Sequence, residues 1–173
     1  MAIDTSELQR CGITLCTASR DDLPLLAGWY AQVRMPELLF ATWSQAERHT
    51  FVDDQFRLQH RHFVRHYARA NFWIVRRDDT PIGRLYLDRS GPEWRIIDIL
   101  LATAWRGQGI GGQLVAWVQQ CAVRAGARGV ALTVAFDNRR AQALYARLGF
   151  RDAEVGDGFH QPMHWPVPSD VCA

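Results

Sequence analysis

The chain has 173 residues, of which 48% are apolar and 22% charged. That is the length of one domain with one good core, and the composition excludes a disordered chain, a collagen-like chain and a long coiled coil. The formal net charge of +2 is spread in mixed sign along the chain, too weak a bias for a nucleic-acid partner. No stretch of about 18 apolar residues offers a membrane span. Residues 1–10 are polar and lack the apolar run of a signal peptide. Cys11, Cys16, Cys121 and Cys172 form no C-x-x-C pair, the usage expected of free thiols in the cytoplasm.

Residues 13–17 alternate as a short strand. A turn follows, then an apolar run over 23–33 that predicts a helix with Pro24 in its first turn. Pro36 breaks the chain, and 35–42 is expected to be irregular. Ser44 and Glu47 form a capping box ahead of a helix running to about Arg69. Residues 72–76 and 82–87 form a hairpin about the turn at Asp78–Pro81. The strand 94–101 is long and largely apolar with a single carboxylate, Asp98, inside it, which predicts burial on both faces. Ile110, Leu114, Trp117, Val118 and Cys121 fall on one stripe of a helix over 109–125, stopped by Gly126. A strand at 130–134 leads to a helix from Asn138 to Leu148, stopped by Gly149, and then to strands at 150–155 and 160–165. Hairpins first and crossovers later predict an α/β fold with a mixed sheet of about six to seven strands and helices on both faces.

The sharpest feature is Arg106-Gly107-Gln108-Gly109-Ile110-Gly111-Gly112, between a strand and a helix. Glycines let the backbone approach a ligand closely, and free N–H groups at a helix start attract an anion such as a pyrophosphate. A Walker loop requires Lys-Ser/Thr after the last glycine, where this chain has Gln113-Leu114. Gly107, Gly109 and Gly112 formally match a dinucleotide fingerprint. That motif belongs after a first strand, however, with an acid about 20 residues on, where this chain has Val130–Thr133. The remaining reading is Arg-x-x-Gly-x-Gly, through Arg106, Gly109 and Gly111. Downstream runs Asn138-x-x-Ala141-x-x-x-Tyr145-x-x-x-Gly149-Phe150. The two segments together resemble the GNAT superfamily of acyl-CoA-dependent N-acetyltransferases, firmly from Phe72 to Phe150.

The resemblance implies one domain over 1–173. It would comprise an acceptor-side region (1–71), an acyl-CoA-binding core (72–150) and C-terminal strands (151–173), with the sheet splayed between its fourth and fifth strands. It implies acetyl-CoA as the acyl donor, a pantetheine arm bonded to the backbone of Leu100 and Leu101, and contacts from Asn138 and Ala141. The amides of Arg106, Gly107, Gln108, Gly109, Ile110, Gly111 and Gly112 would hold the pyrophosphate. Thr103 departs from the proline many relatives carry there.

Acyl transfer to an amine needs a neutral amine, donors for the oxyanion and an acid for the leaving thiolate. Tyr145 is the candidate acid, although its place in the stripe with Ala141, Leu144 and Leu148 also suits a core residue. Asp98 is the candidate base, since burial raises a carboxylate's pKa; the competing role is an aspartate that holds an arginine or a backbone N–H. Glu93 and Glu154 are alternative bases. Arg139 or Arg140 would reach a nucleotide phosphate. His60, His62 and His66 lack a carboxylate to complete a metal site, so no metal is expected, and their helix is a candidate wall for the acceptor along with Trp29, Trp43 and Phe51. The expected activity is acetyl transfer to a small-molecule or peptide amine, by direct attack in a ternary complex, in a cytoplasmic monomer or homodimer. A non-catalytic acyl-CoA-binding module and an NAD(P)-linked oxidoreductase are the alternatives.

Overall fold

Alternating apolar segments and two strongly amphipathic helices assemble around one seven-stranded sheet. The computed structural model describes residues 3–153 and 158–168. In chain order the elements are α1 (Ser6–Arg10), β1 (Ile13–Thr17), α2 (Leu23–Arg34), α3 (Gln45–His66), β2 (Asn71–Arg77), β3 (Thr80–Asp88), β4 (Glu93–Leu101), α4 (Ile110–Arg124), β5 (Gly129–Ala135), α5 (Arg139–Arg147), β6 (Arg151–Asp152) and β7 (His160–Pro166). The strand order is β1-β2-β3-β4-β5-β7-β6. Every neighbouring pair is antiparallel except β4 and β5, which run parallel.

Helices cover both faces. The expected stripe of α4 (Ile110, Leu114, Trp117, Val118 and Cys121) is buried against Trp73, Leu85, Leu87, Trp94 and Leu132, with α1 and α5 on the same side. Each such large apolar side chain stabilises the fold by about 1.5–3 kcal/mol. The other face carries α2 and α3, through Leu26, Trp29, Tyr30, Val52 and Phe56 against Ile74. The capping box of α3 forms as expected: Ser44 Oγ accepts from the Glu47 N–H, and the Glu47 carboxylate accepts from the Ser44 N–H at 2.7 Å.

The splay has a local cause. β4 and β5 pair only from Glu93↔Gly129 to Ile96↔Leu132. On the other edge of β4 the register shifts: Leu87 faces Ile96 and Tyr86 faces Asp98, so Ile97 is an extra residue. A bulge bends its strand and re-aims the side chains beyond it. Past Ile97, β4 leaves β5 and a gap opens. The bulge also shifts the alternation, so Ile96 packs under α4 whereas Asp98 and Leu100 lie on the α2/α3 face.

Some expectations need correcting. In β4 only Trp94 and Ile96 are fully buried; from Ile97 onward the strand is half-buried because it borders the gap. α3 stops at His66 rather than Arg69, since Tyr67 leaves helical geometry at φ −120°. Among the described residues of the strand expected over 150–155, Arg151–Asp152 form strand, while Phe150 is a core residue. Glu154, Val155 and Cys172 lie outside the described residues. α1 was not anticipated; it is too short to show periodicity and is anchored by the single buried Leu8. Among the described residues, no helix is long and apolar enough to cross a membrane.

Candidate active site

The glycine loop lies at the mouth of the gap. A 3-10 turn at Thr103–Trp105 leads from β4 into it. Thr103 does more than tolerate the position where relatives carry proline: its N–H and hydroxyl both donate to Gln32 Oε1, at 3.2 and 3.3 Å, tying the turn to α2. Gly107 and Gly109 stand at φ +80° and +82°, in the left-handed region that favours glycine. A Cβ at Gly109 would meet no protein atom within 4 Å, so the backbone there borders open space. Gly109 is also the N-cap of α4, with no side chain capping it and no acid in the first turn. The first N–H groups of the helix are therefore left for a ligand. At Gly107 the space is filled from the other side by Arg140, whose Nη2 lies 2.9 Å from where a Cβ would sit. Arg140 therefore covers the loop, whereas Arg139 bonds to Gln142 at its own helix end.

A cleft of about 1070 Å³ runs from this loop along β4 to α2 and α3. Twelve of the expected site residues border it: Asp98, Leu100, Leu101, Arg106, Gly107, Gly109, Ile110, Gly111, Gly112, Asn138, Ala141 and Tyr145. Gln108 does not; its side-chain amide turns back to donate to Ala104 O at 2.9 Å. Arg106 is tied in a similar way, with Nε donating to Leu101 O at 2.8 Å. Asn138 borders the cleft, and its Oδ1 caps α5 by accepting from the Ala141 N–H at 3.1 Å.

The expectation for Leu100 needs refinement. Ala102 donates to Ile82 O directly opposite, so alternation makes Leu100–Arg84 the next bonded pair of the β3–β4 ladder. The backbone groups of Ile99 and Leu101 are the ones that face the gap. Leu100 and Ile99 both border the cleft, and Ile99 is a bordering residue that sequence reasoning did not single out.

The polar centre is built on the α2/α3 face. Arg84, only 2% exposed, donates from Nε to Asp98 Oδ2 at 2.5 Å and from Nη2 to Gln59 Oε1 at 3.3 Å. Asp98 is therefore held by an arginine, one of the two roles open to it in the sequence. Tyr145 stands across the gap on α5. Burial, with the negative charge of Asp98 adding to it, pushes its phenol up to about 12, so it carries a proton throughout the neutral range. Tyr86, cross-strand from Asp98, is likewise pushed up to about 12 by burial. Its hydroxyl is buried without a hydrogen-bond partner among the described residues.

Other candidates fall elsewhere. Glu93 pairs with His164 at 2.7 Å at the far end of β4. Trp29 is core, and Trp43 and Phe51 pack edge to face outside the cleft. His62 borders the cleft along with Gln55, Leu58 and Gln59, so α3 forms part of the cleft wall. The rings of His62 and His66 stack at 4.0 Å, and His60 faces a separate groove. Among the described residues, no group of three or more His, Cys, Asp or Glu could hold a metal ion. Cys121 is buried, which pushes its thiol up and removes it from any cleft chemistry.

Comparison with known proteins agrees with this geometry. The model of the acetyltransferase (GNAT) family matches residues 33–150. Among curated proteins, a thialysine N-epsilon-acetyltransferase from Bos taurus is 36% identical over 63 residues, which is 36% of this chain and 37% of that protein. The matching segment thus spans well under half of the relative's length. Among solved structures, the paia N-acetyltransferase from Thermoplasma acidophilum in complex with coenzyme A aligns at a TM-score of 0.66 and 18% identity, over 89% of this chain and 98% of that one. A spermidine N-acetyltransferase chimera from Vibrio cholerae and hSSAT aligns at 0.63 and 18%, over 92% and 98%. With the family model covering most of the chain, from the end of α2 through α5, this protein belongs to the acetyltransferase (GNAT) family.

Proposed function

We propose that the protein transfers the acetyl group of acetyl-CoA to a primary amine by direct attack in a ternary complex, acting as one domain in the cytoplasm. One observation carries this reading: the uncapped glycine start of α4, the edge of β4 beyond its pairing with β5 and Tyr145 all border the same cleft. The open space at Gly109 fits a pyrophosphate, and the free strand edge fits an extended amide-bearing arm. Bound there, acetyl-CoA would supply an activated thioester.

The chain's own residues do the rest. The first N–H groups of α4, with Arg140 above them, hold the pyrophosphate charge. Backbone groups of Ile99 and Leu101 align the arm, and an N–H from this edge donates to the thioester oxygen as charge develops on it. Tyr145 gives its proton to the departing sulfur. Asp98, fixed by Arg84 through Oδ2, takes the proton that the amine loses as the C–N bond forms. Among the described residues no cysteine borders the cleft, which supports direct attack over a covalent acyl-enzyme. The relatives named for thialysine and spermidine support an amine acceptor.

Calorimetric titration with acetyl-CoA, with NADPH as the matched control, tests this reading. Micromolar binding of acetyl-CoA alone is expected. Binding of NADPH in its place would replace this reading with the dinucleotide one.

A further inference from the structure

The acceptor end of the cleft continues onto an apolar surface that the fold does not use. On α3, Phe51, Gln55, Leu58 and His62 recur at i, i+4, i+7 and i+11, one stripe of the helix. The last three border the cleft, so Phe51 prolongs the same wall by one turn. Arg48, a turn earlier, donates to the carbonyls of Trp43 and Ala41 and pins segment 39–43 against this end of the helix. Trp43 and Phe51, 40% and 39% exposed, pack edge to face here, the adjoining Leu39 and Phe40 are 64% and 96% exposed, and Leu58 on the same stripe of α3 is 53% exposed, which together make an apolar platform. Exposed apolar groups concentrated on one short segment and the helix end it is pinned to mark contact with a partner.

We infer that this platform receives a large apolar side chain near the amino terminus of a peptide or protein acceptor, whose α-amino group is the acetylated amine. The inference rests on the acetyltransferase reading. Three observations lead to this occupant rather than a compact or polycationic amine. The first is span. Gln59 bonds to the arginine that holds Asp98, and Phe51 lies eight residues earlier on the same helix, about 12 Å along its axis at 1.5 Å per residue. An extended peptide rises about 3.3 Å per residue, so its third or fourth side chain reaches the platform while its amine lies at Asp98. The second is the wall between them, where Gln55 and Gln59 offer amides suited to a peptide main chain. The third is charge. Asp98 is the single acid among the described residues that border the cleft, and Arg84 already pairs with it. That arrangement suits an α-amino group, which titrates at about 7.7–8.0, better than lysine-type amines at about 10.4.

The test compares two free-amino-terminal octapeptides that differ only in Phe or Ser at position four, with spermidine as a third acceptor. Thiol release is followed at saturating acetyl-CoA, and mass spectrometry locates the acetyl group. The Phe peptide should show a kcat/KM about tenfold above the Ser peptide, carried by KM and with the acetyl on the α-amino group. Phe40→Ser/Trp43→Ser, confirmed folded by circular dichroism, should bring the two peptides to the same value. Equal peptides in the unaltered protein, a preference that survives the double substitution, or faster turnover of spermidine than of either peptide would each overturn the inference while leaving the acetyltransferase reading intact. No turnover of any amine would bring both down together.

Discussion

Gly109→Val separates cofactor binding from folding. Gly109 stands at φ +82°, where a β-branched residue is strained by about 1–3 kcal/mol. A Cβ there meets no protein atom within 4 Å, so no packing cost adds to the strain. A chain of this size loses about 2–4 °C of Tm per kcal/mol, so the variant should melt about 2–12 °C lower and still be folded at 25 °C. Binding should suffer far more. The branched side chain would fill the space in front of the first N–H groups of α4, where a pyrophosphate accepts charge-assisted hydrogen bonds worth about 1.5–3 kcal/mol each. Loss of two such bonds weakens acetyl-CoA by about 10²–10⁴-fold. Calorimetric titration and thermal melting of the same preparation read both quantities. A folded variant with unchanged acetyl-CoA affinity would refute the placement of the pyrophosphate.

Tyr145→Phe should leave acetyl-CoA affinity as it is and lower kcat by about 10²–10⁴-fold; an undiminished rate would reduce Tyr145 to a packing residue beside Phe150. Arg84→Met strips the buried partner from Asp98 and should cost about 3–5 kcal/mol in thermal or urea unfolding, with Arg84→Met/Asp98→Leu recovering part of it. A loss below about 1 kcal/mol would show that the pair does not hold the centre together. Tyr86 provides an alkaline test. Its folded pKa of about 12 lies above the ordinary 10.0, so the stability it contributes is complete below about pH 10 and is lost as pH rises toward 12, in all about 3 kcal/mol. Tyr86→Phe should remove that part of the alkaline loss, because its hydroxyl has no partner to forfeit; an unchanged profile would assign the loss to other groups.

The parts readable from sequence were those with a local signature. The stripe of α4, the capping box at Ser44, and the glycines of the loop each declare themselves within a few residues, and the structure places them as expected. The bulge at Ile97 has no such signature. A strict alternation would put Asp98 beside Trp94 and Ile96 under α4; the extra residue turns it to the opposite face, where Arg84 meets it. That is why the sequence left the role of Asp98 divided and, beside Leu100 and Leu101, did not single out Ile99. Arg84 carries no local signature in its hairpin strand. Its partners Asp98 and Gln59 are distant in sequence, and only the tertiary fold brings them together. The two-residue β6 exists through pairing with β7, a long-range contact that propensity alone does not reveal.

The most direct measurement is initial-rate kinetics with acetyl-CoA and a primary amine both varied, following thiol release and the mass of the protein. The account predicts intersecting reciprocal plots, one thiol released per amine acetylated, and a protein of unchanged mass throughout. Parallel plots with an acetylated protein would contradict direct transfer, and thiol release that does not depend on the amine would contradict the acceptor chemistry itself.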